Sequence, residues 1–263
     1  MSSSFAENGI SIQDLGVQFG SSRILANVNL QIPAGEFVSI VGPSGCGKST
    51  LLRCVANLMS PSSGTVQRIA ASDEHASSNK RNGNSEMSFV FQHANLLPWR
   101  SVFGNIALPL ELAGCSRELM RTEVQRCRAL VGLSADDDKK LPRMLSGGMQ
   151  MRVSLARAIV SRPRLMLLDE PFGALDEILR QQMNEQLLQI WQGERTTMLF
   201  VTHNVSEAVF LSQRVVVLSK NPGTVFQIID VPFPYPRESA LRATMDFVRL
   251  VEEISCRLYE VAA

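Results

Sequence analysis

The sequence predicts an α/β protein with a parallel sheet at its centre, and three features carry that expectation. Short, dense apolar runs recur: EFVSIVG (Glu36–Gly42), RLMLLD (Arg164–Asp169), TTMLFVTH and RVVVLS. They are the length of strands and apolar enough to be covered on both faces, as parallel strands are. Between them lie stretches of helical period, the longest marked by Leu175, Leu179, Met183, Leu187 and Ile190. Near the start, NVNLQI (Asn27–Ile32) alternates polar and apolar residues, which predicts a half-buried strand in an antiparallel layer.

Taken in order, residues 1–9 read as a flexible tail. The strand ending at Gly42 is followed by GPSGCGKST and then by LLRCVANLM, which is helical in character. The stretch 71–86 is almost devoid of apolar residues and predicts an exposed, mobile loop. MSFVFQ is strand-like, and from His93 to Asp138 the signals turn helical, with Met120, Val124, Cys127 and Val131 on one face. In LSGGMQMRVSLARAIV (Leu145–Val160), Met151, Leu155 and Ile159 recur at i, i+4 and i+8, and Ser146 is placed to cap the first turn. After VPFPYPRE one amphipathic helix is predicted, marked by Leu241, Met245, Val248, Val251, Ile254 and Leu258. The resulting division is a tail at 1–9, an α/β core with its antiparallel layer at 10–92 and 164–230, a helical insertion at 93–163, and a C-terminal extension at 231–263.

Composition removes several function classes. With 263 residues and 45% hydrophobic content the chain can bury a substantial core. The formal net charge is +1, with both signs interspersed, so no basic stripe argues for nucleic acid. The five cysteines form no C-x-x-C pair, which speaks against a zinc site or a disulfide framework and for reduced thiols. MSSSFAENGI lacks the charged and apolar regions of a signal peptide, and no apolar run approaches the ~20 residues that span a bilayer. A membrane role is expected to be peripheral, through a partner.

The chemistry concentrates in three places. Gly42, Gly47, Lys48 and Ser49 fit G-x-x-x-x-G-K-[ST] between a strand and a helix, the pattern of a P-loop. The stretch Gly42, Pro43, Ser44, Gly45, Cys46, Gly47, Lys48, Ser49, Thr50 is thus expected to hold ATP. Its glycines let the backbone wrap the β-phosphate, Lys48 neutralises phosphate oxygens, and the Ser49 hydroxyl takes Mg²⁺. Second, LMLLDE ends a strand in acid: Asp169 is expected to support Mg²⁺, and Glu170 to polarise a water aimed at the γ-phosphate. Two carboxylates buried there for structure alone would cost several kcal/mol. Third, Ser146, Gly147 and Gly148 open a helix and leave backbone N–H groups open to an anion. A P-loop encloses its nucleotide from one side, so the economical arrangement is two chains head to tail, each lending Ser146–Gly148 to the other's γ-phosphate.

With these motifs in place, the sequence resembles the ATP-binding subunits of ABC transporters from about residue 10 to 230. The matching elements, in family order, are VGPSGCGKST (Walker A), VFQ (Q-loop), LSGGMQ (signature), LMLLDEP (Walker B), GALD (D-loop) and VTH (switch histidine). The implied fold is a P-loop NTPase (RecA-like) α/β core with an N-terminal antiparallel layer and an inserted helical subdomain. The resemblance implies that Phe19 stacks on adenine, where tyrosine is commoner, and that Gln92 contacts Mg²⁺ or the attacking water. It also places His203 against the γ-phosphate and Asp176 in a bridge to the opposite chain, alongside a plain capping role. DEPFGALD, LLPW after the Q-loop and the Met-Gln after the glycines resemble the nitrate/sulfonate/taurine group of bacterial importers, whose relatives also serve thiamine-precursor pyrimidines.

By that resemblance the chain is an ATPase energising transport. Its partners are transmembrane permease subunits, a second ATP-binding subunit (identical or a paralogue) and, indirectly, an extracytoplasmic solute-binding protein, with no nucleic acid. Its place is the cytoplasmic face of the inner membrane, as a peripheral subunit. Leu96, Leu97, Pro98 and Trp99 are a candidate permease-facing surface. The extension is too short for the regulatory domain of sugar-importer ATPases, so no built-in regulator is expected. An exporter ATPase and a soluble ABC ATPase acting on DNA or ribosomes stay as alternatives; the coiled-coil insertions and zinc modules of the latter are not visible here.

Overall fold

The computed structural model describes residues 9–69 and 85–262. The polar stretch 71–86, up to residue 84, and residues 1–8 of the expected tail lie outside the described residues; Gly9 already belongs to a strand. The chain divides into two compact units, 1–72 with 195–263, and 73–194. This border groups the strands on either side of the helical stretch with that stretch, where the sequence division grouped them with the core.

In the first unit, β1 (Gly9–Phe19) pairs antiparallel with β2 (Ser22–Pro33) and with β4 (Ser63–Ile69), in the order β2-β1-β4. The alternation noticed in NVNLQI is the burial pattern of β2: Val28, Leu30 and Ile32 point inward. A parallel group follows, with β3 (Phe37–Val41) between β7 (Thr197–Val201) and β8 (Arg214–Leu218). Every residue of β3 and β7 is buried, which explains why these runs are continuously apolar rather than alternating. An edge strand, β9 (Val225–Asp230), closes β8 antiparallel and was not legible, because Phe226 and Ile228 on it stay exposed and blur its pattern.

Three helices complete this unit: α1 (Lys48–Val55), α6 (Val205–Leu211) and α7 (Met245–Ala262). The predicted stripe of α7 holds in its second half, where Ile254 is buried and Val251 and Leu258 half-buried, and not in its first. Phe247 and Ile254 are its buried residues, Met245 and Val248 are exposed, and Leu241 precedes it in a 3-10 turn. Phe247, outside the predicted stripe, packs its ring on Phe233 with centroids 5.9 Å apart.

The second unit holds the parallel pair β5 (Met87–Val90) and β6 (Leu165–Asp169). Its helices are α2 (Val102–Leu112), α3 (Arg117–Leu130), α4 (Gly147–Ile159) and α5 (Glu177–Glu194). Serines start three of them: Ser101, Ser116 and Ser146 accept from the N–H groups of Gly104, Leu119 and Met149 at 3.2, 3.2 and 3.3 Å. On α3, Val124 and Cys127 are buried as their spacing predicts, and α2, α3 and α4 pack on one another. Burial pushes the Cys127 thiol up to about 12. Glu123 takes both Arg126 and Arg162 at 2.8 Å, and Arg126 reaches Glu194 on α5 at 2.5 Å.

Candidate nucleotide site

The P-loop grows out of β3. Its backbone needs glycine at two points: Gly45 and Gly47 sit at φ +77° and +101°, a region that L side chains rarely adopt. A Cβ on Gly47 would also come within 2.6 Å of Leu25 Cδ2, so β2 lies directly under the loop. Gly47 caps α1 without a side chain, leaving the helix start to the backbone alone. The Lys48 ammonium, nearly buried at 7% exposure, donates to the carbonyls of Gly42 and Pro43 at 2.8 and 3.2 Å. The cation is thereby drawn across the loop it follows. Burial raises the Cys46 thiol, with Lys48 opposing more weakly, so the loop cysteine stays protonated.

His203 belongs to the same unit. Ile40 on β3 is level with Val201 on β7, and the Thr202 N–H bonds to the Ile40 carbonyl at 3.2 Å. The residue after Thr202 thus leaves the sheet beside the point where the P-loop begins, at the carboxyl ends of parallel strands where ligands of such sheets bind. His203 is exposed, and its neighbours are fixed around it. The Thr202 hydroxyl donates to Glu207 at 2.5 Å and accepts from the Asn204 N–H at 3.0 Å, while Asn204 accepts from the Glu207 N–H at 3.2 Å as the cap of α6. Phe19, 53% exposed, closes the β1–β2 hairpin opposite Ser22. Leu25 and Ile24 from that second strand meet Gly47, so the aromatic ring stands on the hairpin that underlies the loop.

In the second unit Val90 is level with Leu168, so Gln92 and the Asp169–Glu170 pair emerge from adjacent parallel strand ends. Asp169 is buried at 7% exposure and Gln92 is exposed. Glu170 sits at φ +46°, a left-handed conformation that costs a non-glycine residue about 1–3 kcal/mol. Sequence reasoning had no signal for this strain, which points to a residue held for its direction. The loop after it is pinned by Arg180, which donates to the carbonyls of Phe172 and Leu175 at 3.4 and 2.8 Å. Asp176 is exposed and accepts from the Leu179 N–H at 3.0 Å, so its capping role at α5 is in place.

Ser146 and Gly147 are exposed at the start of α4. A Cβ on Gly147 would meet no atom within 4 Å, whereas one on Gly148 would lie 2.3 Å from Leu179 Cδ2. Only the first glycine is open to an incoming group; the second is small because α5 packs on it. Another unforeseen tie runs from α4 to the loop beyond Gln92: Arg157 donates to the carbonyls of Ala94 and Asn95 at 2.8 and 2.9 Å. Trp99 in the LLPW run is 73% exposed, and Asn105 fixes that run by bonding both backbone groups of Leu97.

Among the described residues no group of three or more His, Cys, Asp or Glu could hold a metal by itself. Mg²⁺ keeps several waters and binds through one or two carboxylates together with substrate phosphates. Each in its own unit, buried Asp169 and the Ser49 hydroxyl carry oxygens of the type Mg²⁺ takes. Among the described residues, too, no helix is long and apolar enough to cross a membrane.

The profile of the ABC transporter family matches residues 25–173, more than half of the chain. An aliphatic sulfonates import ATP-binding protein, SsuB of Bacillus cereus, is 41% identical over 84% of this chain and 83% of its own length. The nitrate import ATP-binding protein NrtD of Synechocystis sp. is 40% identical over 91% of this chain and 89% of its own. Among solved structures, the dimeric structure of MJ0796, a bacterial ABC transporter cassette, superposes with a TM-score of 0.72 at 31% identity, covering 86% of this chain and 100% of that one. The same cassette has been solved as a dimer in a post-hydrolysis state with ADP and Pi. The strand-borne P-loop, the acid-ended β6 and the glycine start of α4 lie in a sequence of this kind throughout, and the chain belongs to the ABC transporter family of ATPases.

Proposed function

We propose that this chain is the ATP-hydrolysing subunit of a bacterial importer for a small solute, an aliphatic sulfonate or nitrate before taurine or a thiamine-precursor pyrimidine. Relatives named for sulfonate and nitrate import, at 40–41% identity over more than four-fifths of the chain, support the class of cargo. The observation that carries the mechanism is the open start of α4. Gly147 has free space above its Cα, and the Ser146 hydroxyl takes only the Met149 N–H, which leaves the N–H groups of Gly147 and Gly148 to an anion. A phosphate-sized anion fits there, and a second chain is the natural supplier.

Two copies then stand head to tail, each lending Ser146, Gly147 and Gly148 to the nucleotide in the partner's P-loop. Phe19 stacks on the adenine, and the Gly42–Thr50 loop wraps the phosphates. Lys48 holds the β/γ oxygens, exchanging its two carbonyl partners for them. Ser49, Gln92 and Asp169 would hold Mg²⁺, which would supply charge neutralisation at the phosphates. Glu170 directs a water at the γ-phosphate, His203 steadies that phosphate, and Asp176 reaches across to the other copy. Positioning and charge stabilisation suffice for such a transfer; no covalent intermediate is needed. Closure of the pair would pull permease subunits, docked near Trp99, toward their outward-facing state. This places the chain as a peripheral subunit on the cytoplasmic face of the inner membrane, served indirectly by a solute-binding protein.

Glu170→Gln tests the scheme. The variant is expected to bind ATP–Mg²⁺, hydrolyse it at least a hundredfold more slowly (on the scale of lost catalytic groups) and elute as a dimer from a sizing column. A monomer under saturating ATP would contradict it.

A further inference from the structure

The segment after β9, VPFPYPRE, has no part in the scheme so far, yet it contains a buried cation. Arg237 is 6% exposed. All of its hydrogen bonds go to main-chain carbonyls: Nη1 donates to Val209, Phe210 and Ser212 at 2.8, 2.9 and 3.0 Å, and Nε and Nη2 donate to Phe233 at 3.2 and 2.8 Å. Its guanidinium lies 4.0 Å from the centroid of the Tyr235 ring, and the Tyr235 hydroxyl donates to the Leu211 carbonyl at 2.8 Å. Arg242 stacks on the Phe210 ring at 3.5 Å.

Four of these six hydrogen bonds have a common destination. The carbonyls of Val209, Phe210, Leu211 and Ser212 are the terminal acceptors of α6, the groups a helix end leaves without intrahelical partners. Arg237 and Tyr235 take all four, and the cation also sits at the negative end of the helix dipole. Burial lowers the Arg237 pKa, so the guanidinium is kept there against its own hydration. A buried cation that spends three of its five hydrogen bonds on one helix terminus, and anchors the other two on the Phe233 carbonyl, fixes that helix in rotation and along its axis. α6 has only seven residues, so fixing its end fixes its beginning. Its beginning is the Asn204 cap and, one residue before, His203. α6 also packs on β3, the strand that feeds the P-loop, and on α7.

We propose that Arg237, assisted by Tyr235, is a positioning residue of the ATPase site: by clamping the end of α6 it sets the direction in which His203 leaves the sheet toward the γ-phosphate. The C-terminal extension is then part of the hydrolysis machinery and not an appendage. This rests on the assignment of His203 made under the proposed function.

The experiment is a double-mutant cycle in the full chain, measuring kcat and KM for ATP together with backbone hydrogen exchange at residues 203–208. Arg237→Met is expected to lower kcat about tenfold, with KM within about twofold and faster exchange at the α6 start; Arg237→Lys, which caps without forking three carbonyls, recovers part of the loss. In a His203→Ala chain the same Arg237→Met change is expected to lower kcat no further. An equal loss in both backgrounds, or kcat and KM worsening together, overturns the proposal by making Arg237 a general stability element. Should Arg237→Met not fold, Tyr235→Phe, which removes one bond to the helix end, runs the same cycle with a loss of roughly twofold that again must vanish in His203→Ala. The two layers fail differently. A His203→Ala chain with unchanged kcat overturns the site assignment, and with it the reason for the clamp. A His203→Ala chain that is inactive beside an Arg237→Met chain at full kcat overturns the clamp alone.

Discussion

The P-loop and the start of α4 are both glycine-rich openings of helices, and they are built on opposite principles. In the P-loop the glycines serve the backbone: Gly45 and Gly47 occupy left-handed φ, and Gly47 is also pressed against Leu25. The loop's shape is set by its own backbone, and Lys48 is drawn across it by two carbonyls. At the start of α4 the backbone is ordinary. Ser146 is extended and caps as many serines do, and neither glycine has positive φ. Here the glycines differ from each other, Gly147 open and Gly148 filled by Leu179. The cradle wraps an anion from one side, while the open helix start presents an outward face that can complete the enclosure. That contrast is the physical reason for assigning the first to a nucleotide's own chain and the second to a neighbour's.

The largest expected effect falls on the cradle. Lys48→Ala should abolish measurable ATP turnover, a loss of at least about 10³ on the scale set by removing preorganised charge from phosphoryl and acyl transfer sites. Nucleotide binding and turnover assays check it, and near-normal turnover would mean the loop is shaped without being used.

The next effect separates the two α4 glycines. Gly147→Ala should leave the melting temperature unchanged or slightly raised, since alanine is the better helix former, while cutting turnover about a hundredfold. Gly148→Ala should instead lower stability by about 1–3 kcal/mol through overpacking against Leu179, and Leu179→Ala in the same chain should restore it. Thermal melts and turnover, read side by side, decide between them. If both glycines behaved alike in both assays, the distinction between an open and a packed position would be wrong.

The parts legible in the sequence were those whose signal is local. The P-loop announces itself through spacing, the strands through continuous apolar runs, and Ser146 through its place before a periodic stretch. The parts that escaped depend on residues distant in the chain. Nothing near Gly148 says that Leu179 will fill its space, and nothing near Arg157 says that it will hold Ala94 and Asn95. The conformation of Glu170 is invisible in its residue type. Arg237 reads as one more charge after a proline-rich turn, and its role exists only because α6 ends beneath it. α7 shows the same limit in a milder form. Its apolar residues permit more than one face, and the one that turns inward carries Phe247, packed on Phe233 from a distant part of the chain.

The central claim is that each nucleotide is enclosed by the P-loop of one copy and the α4 start of another. Its most direct test is capture between two unlike defective chains, both carrying Glu170→Gln so that ATP persists. One also carries Lys48→Ala and the other, tagged, carries Gly147→Asp. Alone, neither can form an intact pair of elements, but a mixed dimer contains one P-loop and one α4 start undamaged and facing each other. The prediction is that tagged chains retain untagged ones when ATP–Mg²⁺ is present and release them when it is removed. If ATP–Mg²⁺ brings no untagged chain to the tagged one, while chains carrying only Glu170→Gln do associate under the same conditions, the two elements do not complete one site across two copies.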